Sequence, residues 1–144
     1  MNWIIKNSEK EGSGIFANNE FKKNKLVFIF SGNIINWSKA NYKSLQIGKN
    51  KFINPDKNNP GEFLNHSCNP NCGIKNLNKI TAMKNIKPGE EILIDYSTTI
   101  GHKYEIECNC KDSNCRKFIR SYKELPKEIK EKYKGWTSEY LIEK

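Results

Sequence analysis

At 144 residues, 36% of them hydrophobic, the chain has room for one domain with its own core and is too short for a second. No window approaches the roughly eighteen consecutive apolar residues of a membrane span, and Met1-Asn2-Trp3-Ile4-Ile5-Lys6 lacks a long apolar secretory core, so an intracellular protein is expected. The net charge of +9 invites a nucleic-acid partner, but 23 of the 25 basic residues are Lys, and much of the charge reads as compositional bias on solvated faces.

Short apolar runs separated by Gly, Asn, Pro and Lys predict a mainly β protein with short helices. The first strands are expected at residues 3–5 and 15–17, with Gly12-Ser13-Gly14 between them. A G-x-G after a strand lets backbone approach a ligand closely, yet it is also an ordinary turn, and with no following Gly or helix it is not a dinucleotide fingerprint. Further strands are expected at 26–30, 33–35 and 51–53. Next comes Asn65-His66-Ser67-Cys68-Asn69-Pro70-Asn71-Cys72, which puts amide, imidazole and thiol groups in one loop that a packed core does not require. Taken alone, Asn65 and His66 also suit a plain polar turn, and residues 69–71 are turn chemistry. Strands at 80–82 and 92–94 follow, the second entered through Pro88-Gly89, where Pro presets φ and Gly accepts a positive one. Tyr96 ends that run; without other information it is a buried strand tyrosine. Near 126–133, Pro126 at a first helical position and Glu128 four residues before Lys132 predict a short helix. Trp136, Tyr140 and Leu141 then supply apolar material that can fold back onto the domain.

Five cysteines, an odd number with three inside eight residues, argue for metal-bound thiolates over a disulfide framework. Cys108, Cys110 and Cys115 form C-x-C-x4-C, and Cys68 is the obvious fourth member. Four thiolates enclose zinc tetrahedrally at about 2.3 Å and leave no open position, so the expected site is structural. Cys72 is left over as a small buried hydrophobe.

In their order and spacing, five segments resemble the SET-domain protein lysine methyltransferases over residues 1–120. They are Gly12-Ser13-Gly14-Ile15-Phe16-Ala17, Phe30-Ser31-Gly32-Asn33-Ile34-Ile35, residues 63–72, Lys87-Pro88-Gly89-Glu90-Glu91-Ile92-Leu93-Ile94-Asp95-Tyr96, and residues 108–119. The resemblance implies a SET domain at 1–100, a zinc-binding post-SET segment at 101–120 and a helical tail at 121–144. It implies small sheets with a C-terminal pseudoknot, in which the loop holding Asn65 and His66 is threaded under another segment. It also implies S-adenosylmethionine as cosubstrate, bound by Gly12, Ser13, Gly14, Ile15, Phe16, Asn65, His66, Tyr96 and Phe118, with Ile119 as a further wall. Tyr96 would be the catalytic phenol, and Cys68, Cys108, Cys110 and Cys115 the zinc ligands.

Asp95 is read as structural. Phe30 stands where the family often has Tyr, and Glu62 where it often has Arg. Ile94 and Ile74 fall where an aromatic often limits the number of methyls, so multiple methylation is expected. The expected partner is a protein carrying a target lysine, such as a histone or another basic protein. Nucleic acid is not expected as the primary ligand, and a dimer is compatible with so small a site. A chromatin-associated or nuclear location follows if the source has chromatin. Two other readings stand beside this one: a non-catalytic SET-like binding module, marked by cofactor binding without turnover, and a basic zinc-stabilised nucleic-acid binder, marked by a salt-sensitive complex.

Overall fold

The computed structural model describes residues 1–142. In chain order the strands are β1 (Trp3–Asn7), β2 (Ser13–Ala17), β3 (Leu26–Ile29), β4 (Gly32–Ile35), β5 (Leu45–Gly48), β6 (Lys51–Pro55), β7 (Asn65–His66), β8 (Cys72–Lys75), β9 (Lys79–Ala82), β10 (Leu93–Ile94), β11 (Glu105–Glu107) and β12 (Phe118–Arg120). The helices α1 (Lys127–Lys132) and α2 (Glu139–Ile142) follow. The strands form two three-stranded sheets, β3-β9-β8 and β4-β6-β5, and three two-stranded ones, β1-β2, β7-β10 and β11-β12. Every strand expected from the apolar runs has a counterpart, and the mainly β architecture of small sheets is as the sequence implies.

The core gathers where the sheets meet. Ile15, Ile74, Ile80, Ile86 and Ile92 are each at most 1% exposed, and burial of each contributes about 1.5–3 kcal/mol. In β3 the alternation breaks: Val27 and Phe28 are both buried, while Leu26 and Ile29 face out. A register shift between Leu26 and Phe28 against β9 accounts for this, because a bulge turns two successive side chains towards one face.

β7 and β10 pair in parallel, Asn65 opposite Leu93 and His66 opposite Ile94. A parallel pair needs a long crossover, and residues 67–92 supply it, carrying β8 and β9 within it. The loop after β7 is held a second time from downstream: Asn114 donates to the Cys68 carbonyl and the Arg116 N–H to Cys68 Sγ.

The tail helix begins one residue later than expected. Pro126, with φ −57° and ψ 150°, is the cap rather than the first helical residue. α1 buries none of its own residues, but Tyr133 behind it is 1% exposed. Trp136 reaches β8, its carbonyl accepting the Ile74 N–H at 2.9 Å and its ring carrying the Lys75 ammonium at 4.0 Å. The tail thus folds back onto the domain. No helix among the described residues is long and apolar enough to cross a membrane.

Candidate functional site

β10 runs into Asp95, whose carboxylate caps a single 3-10 turn, Tyr96–Thr98, by accepting the Ser97 N–H at 2.9 Å. Tyr96 is 4% exposed. Its N–H donates to His66 Nδ1 at 2.9 Å, and its hydroxyl donates to the Leu64 carbonyl at 2.5 Å. Burial holds the phenol well above its ordinary pKa, so Tyr96 is a neutral hydrogen-bonding group across the working pH range. The Tyr42 ring stands 5.8 Å away, and the Tyr104 hydroxyl donates to the Tyr96 carbonyl at 3.2 Å.

Two cavities meet at this phenol. One, of about 320 Å³, is walled by Lys10, Glu11, Asn65, His66, Ile106, the chain at 107–110, and Ile119. The other is an apolar slot of about 10 Å³, walled by Phe30, Leu45, Leu64, Ile74, Ile94 and the Thr99 turn, with Lys43 at its edge. Tyr42 and Tyr96 line both. Among the residues expected to contact a cofactor, Asn65, His66 and Tyr96 therefore stand on the larger cavity's wall, and Ile119 joins them.

The remaining expected residues lie elsewhere. Ile15 is in the core and the Phe16 ring lies under the Lys6 ammonium at 4.5 Å, so neither side chain lines the cavity. Gly12 adopts φ +48° on the surface, and Gly14 is glycine for a reason the G-x-G spacing did not reveal. A Cβ at Gly14 would stand 2.2 Å from Glu91 Oε2. That carboxylate accepts from Ser8 Oγ at 2.7 Å and from Asn65 Nδ2 at 2.9 Å, and Asn65 also donates to the carbonyls of Glu11 and Ser13. The loop is thus bound to the cavity through Glu91 and Asn65, and it is Lys10 and Glu11, just before it, that face in. Phe118 is 40% exposed, with the Arg120 guanidinium 5.2 Å from its ring. Strand alternation puts it on the opposite face of β12 from Ile119, so only one of the two can wall the cavity.

The thiols come together. Sγ of Cys68, Cys108 and Cys110 and a ring nitrogen of His66 all lie within 4.8 Å of one another, and Cys68 and Cys108 sulfurs are 3.9 Å apart. Cys115 borders the group, its thiol donating towards the Cys108 carbonyl at 3.7 Å and its sulfur receiving the Lys117 N–H at 3.4 Å. Cys72 is 1% exposed within the core, the small buried hydrophobe expected. Burial pushes the Cys68 thiol up to about 11 and Cys108 higher still. Clustered thiolates here need a positive partner, and a divalent soft cation fits that need. Backbone N–H groups of Arg116 and Lys117 already point at two of the sulfurs.

His66 is buried, which lowers its pKa to about 4 and keeps the ring neutral. Because Nδ1 accepts from the Tyr96 N–H, the ring proton sits on Nε2, 3.4 Å from Cys68 Sγ. A histidine that bound metal through Nε2 would carry its proton on Nδ1, facing the Tyr96 N–H donor to donor.

Two polar clusters brace these parts. Burial alone would push the Asp95 carboxyl up, but the Arg116 guanidinium, at 2.8 and 2.9 Å, holds it below the usual carboxylate range. Tyr133 donates to the same carboxylate at 2.8 Å. Across the cavity mouth, Asp112 accepts from Ser67 Oγ at 2.5 Å and pairs with Lys10 at 3.4 Å, while Lys10 also donates to the Cys110 carbonyl. Sequence reading missed Tyr42, Arg116, Asp112 and Tyr133, and gave Glu91 no role. Only Arg116 carried a usable signal, as the arginine directly after the last cysteine of the cluster.

Comparison with known proteins gives these parts a common origin. Residues 12–97 match the SET domain. Over 137 residues the chain is 31% identical to "Histone-lysine N-methyltransferase, H3 lysine-36 specific" of Coccidioides immitis, covering 81% of this chain and 14% of that protein. The protein of the same name in Chaetomium globosum is 32% identical, covering 81% of this chain and 15% of its own length. The chain thus spans about one seventh of these relatives. Among solved structures, KRYPTONITE in complex with mCHH DNA, an H3(1–15) peptide and SAH superposes with a TM-score of 0.65 at 23% identity, over 82% of this chain and 29% of that one.

Proposed function

The chain belongs to the SET domain family, and on that premise we propose that it is a protein-lysine N-methyltransferase using S-adenosylmethionine. The observation that carries this reading is the junction of a cofactor-sized cavity with a narrow apolar slot at Tyr42 and Tyr96. The larger cavity mixes Lys10 and Glu11 with Ile106 and Ile119, which suits a ligand bearing an amino acid at one end and an aromatic base at the other. The slot is apolar as the unbranched stem of a lysine requires, and at about 10 Å³ it must widen to admit one.

S-adenosylmethionine in the larger cavity would supply an activated methyl group. In the transfer the lysine nitrogen's lone pair forms the new N–C bond, the C–S bond breaks with its electrons going to sulfur, and the proton leaves to water. The amine must first be neutral, against an ordinary pKa of about 10.4. Among the described residues no carboxylate lines the slot to stabilise an ammonium, and an apolar wall together with the sulfonium charge lowers the amine's pKa. Tyr96 is the catalytic residue in this reading: a neutral phenol at the junction that orients the reacting groups, alignment supplying most of the rate. Asn65 and His66 bind the cosubstrate, with Lys10, Glu11 and Ile119 as further walls, while the backbone from Gly12 to Phe16 supports the site through the Glu91 and Asn65 contacts and Phe118 stays outside it.

Cys68, Cys108, Cys110 and Cys115 would hold a structural zinc ion. The His66 tautomer supports this set, since it gives His66 to Cys68 as a hydrogen-bond donor and leaves the fourth ligand position to Cys115. Histone H3 is the first candidate substrate, because the curated relatives are named for H3 lysine-36, and a chromatin location goes with it. Phe30, Ile74 and Ile94 add no third phenol to the slot beside Tyr42 and Tyr96, which supports addition of more than one methyl.

The test is transfer of labelled methyl from S-adenosylmethionine to recombinant H3, to H3 lacking lysine 36, and to a mixed protein panel, with Tyr96→Phe alongside. Labelling that falls about a hundredfold in the variant is expected. Cofactor binding without labelling of any protein would replace this reading with a binding module.

A further inference from the structure

We propose that the segment after the cysteine cluster braces the catalytic turn, and that Tyr133 is a positioning residue for Tyr96. The proposal rests on the reading of Tyr96 as the catalytic phenol.

Asp95 immediately precedes Tyr96, and its side chain is 0% exposed. A buried carboxylate has about four lone-pair sites to satisfy, and here four donors fill them. Oδ1 accepts from Arg116 Nη2 and the Ser97 N–H, each at 2.9 Å, and Oδ2 accepts from Arg116 Nη1 and the Tyr133 hydroxyl, each at 2.8 Å. The donors come from three separate parts of the chain: the turn itself, the cysteine segment and the tail. Removing any one leaves a buried lone pair unmatched.

The tail grips the far end of the same turn as well. The Ser138 N–H donates to the Thr98 carbonyl at 3.0 Å, and Ser138 Oγ donates to the Gln46 carbonyl at 2.6 Å. Gln46 in turn donates its N–H to the Thr99 carbonyl at 2.9 Å. Tyr133 at 1% and Ser138 at 0% exposure are packed into the domain rather than laid over it. The turn 95–99 therefore sits between two tail contacts five residues apart in the tail sequence. Tyr96 has only two side-chain torsions, so the backbone of this turn sets where the phenol oxygen lies. A misplacement of about 1 Å at a reacting centre costs about a hundredfold in rate.

The experiment uses the full chain with Tyr133→Phe, which keeps the buried ring and removes only the donor. Val27→Ala, a core truncation on β3, serves as a control for general loss of stability. Hydrogen exchange is read for amides 95–99, above all the Tyr96 N–H, together with kcat on histone H3 and the dissociation constant for S-adenosylmethionine. The expected result is exchange in the turn faster by about tenfold, with β8 and β9 unchanged. The turnover number should fall about tenfold and the cofactor dissociation constant should stay within about threefold. Uniformly faster exchange across the domain with unchanged kcat per folded molecule, as Val27→Ala should show, would overturn the proposal. If the wild type methylates nothing, the enzymatic reading fails, and the exchange pattern alone still decides whether the tail braces the turn.

Discussion

Replacing Arg116 with Met isolates the strongest electrostatic contact in the molecule. Asp95 has a fully buried side chain and Arg116 one that is 17% exposed, joined by two short, parallel bonds. Removing one partner of such a pair costs about 3–5 kcal/mol, because the other charge is left buried without its counter-ion. Tyr133 and the Ser97 N–H remain on the carboxylate, which points to the lower end, about 3 kcal/mol. In urea, with m about 2 kcal/mol/M, the midpoint should drop by about 1.5 M.

The pH dependence gives a sharper check. In the wild type the folded Asp95 carboxyl lies below its unfolded value, which is about 3.9. Its contribution is therefore fully present above about pH 4 and is lost as pH falls through the folded value. In Arg116→Met the buried carboxyl loses its counter-ion and takes up a proton more readily, so the gap between the two proteins should begin to narrow as pH falls through the variant's raised folded value and close further down to the wild type's lowered one. A cycle with Asp95→Asn should give a coupling of about 2–3 kcal/mol at pH 7. A cost below about 1 kcal/mol, or additive single and double variants, would refute the buried-pair argument.

Three further outcomes follow from the site. X-ray absorption on the zinc-loaded protein should show four sulfur ligands, with Cys115→Ala lowering zinc retention at least tenfold and His66→Gln leaving the sulfur count unchanged; a shell of three sulfurs and one imidazole nitrogen would reverse the tautomer argument. The ratio kcat/KM should rise with pH from about 7 towards the free amine's ordinary value near 10.4, whereas kcat should level off at lower pH because the site lowers the bound amine's pKa, and Tyr96→Phe should lower both profiles without changing their slopes, because the buried phenol does not titrate in that range. Lys10→Met opens the contact between Lys10, Asp112 and the Cys110 carbonyl at the cavity mouth, and should weaken S-adenosylmethionine about two- to fivefold in calorimetry, less so at high salt, as for a partly exposed pair.

What the sequence made legible was local. The strands at 15–17, 51–53 and 80–82 announce themselves because Ile, Phe and Thr stand between turn residues, and the C-x-C-x4-C spacing brings thiols close whatever the rest of the fold does. β5 and β8 escaped because their residues become strand only by context. Gln46, mid-strand and 3% exposed, is buried to cap the Gly101 N–H at 2.8 Å, and Gly73 lies where a Cβ would stand 2.8 Å from Trp136. The cavity walls were half visible. Asn65 and His66 carried a motif, whereas Tyr42, Lys10 and Ile106 reach the cavity from segments with no distinguishing local pattern. Gly14 was noticed for its spacing, while its physical cause, the Glu91 carboxylate, lies 77 positions along the chain.

The two arginines show where composition stops governing this chain. With 23 lysines against two arginines, the bias towards Lys is nearly complete, and most lysines sit on exposed turns and strand edges where any cation serves. Arg116 and Arg120 occupy positions of another kind. Arg116 grips both oxygens of a buried carboxylate while its N–H reaches Cys68 Sγ. Arg120 meets Glu105 across the β11-β12 pair at 2.7 Å and Glu124 beyond it at 3.8 Å. A planar fork with fixed donors matches the Arg116 site, and a single ammonium on a flexible stem does not. Both residues also bind segments beyond residue 97, where the SET domain match ends, to one another or to the catalytic turn. The cysteine segment is therefore joined to the Tyr96 turn by the Arg116–Asp95 pair and the tail by the Tyr133 hydroxyl on the same carboxylate, and Arg116→Lys should cost nearly as much stability as Arg116→Met.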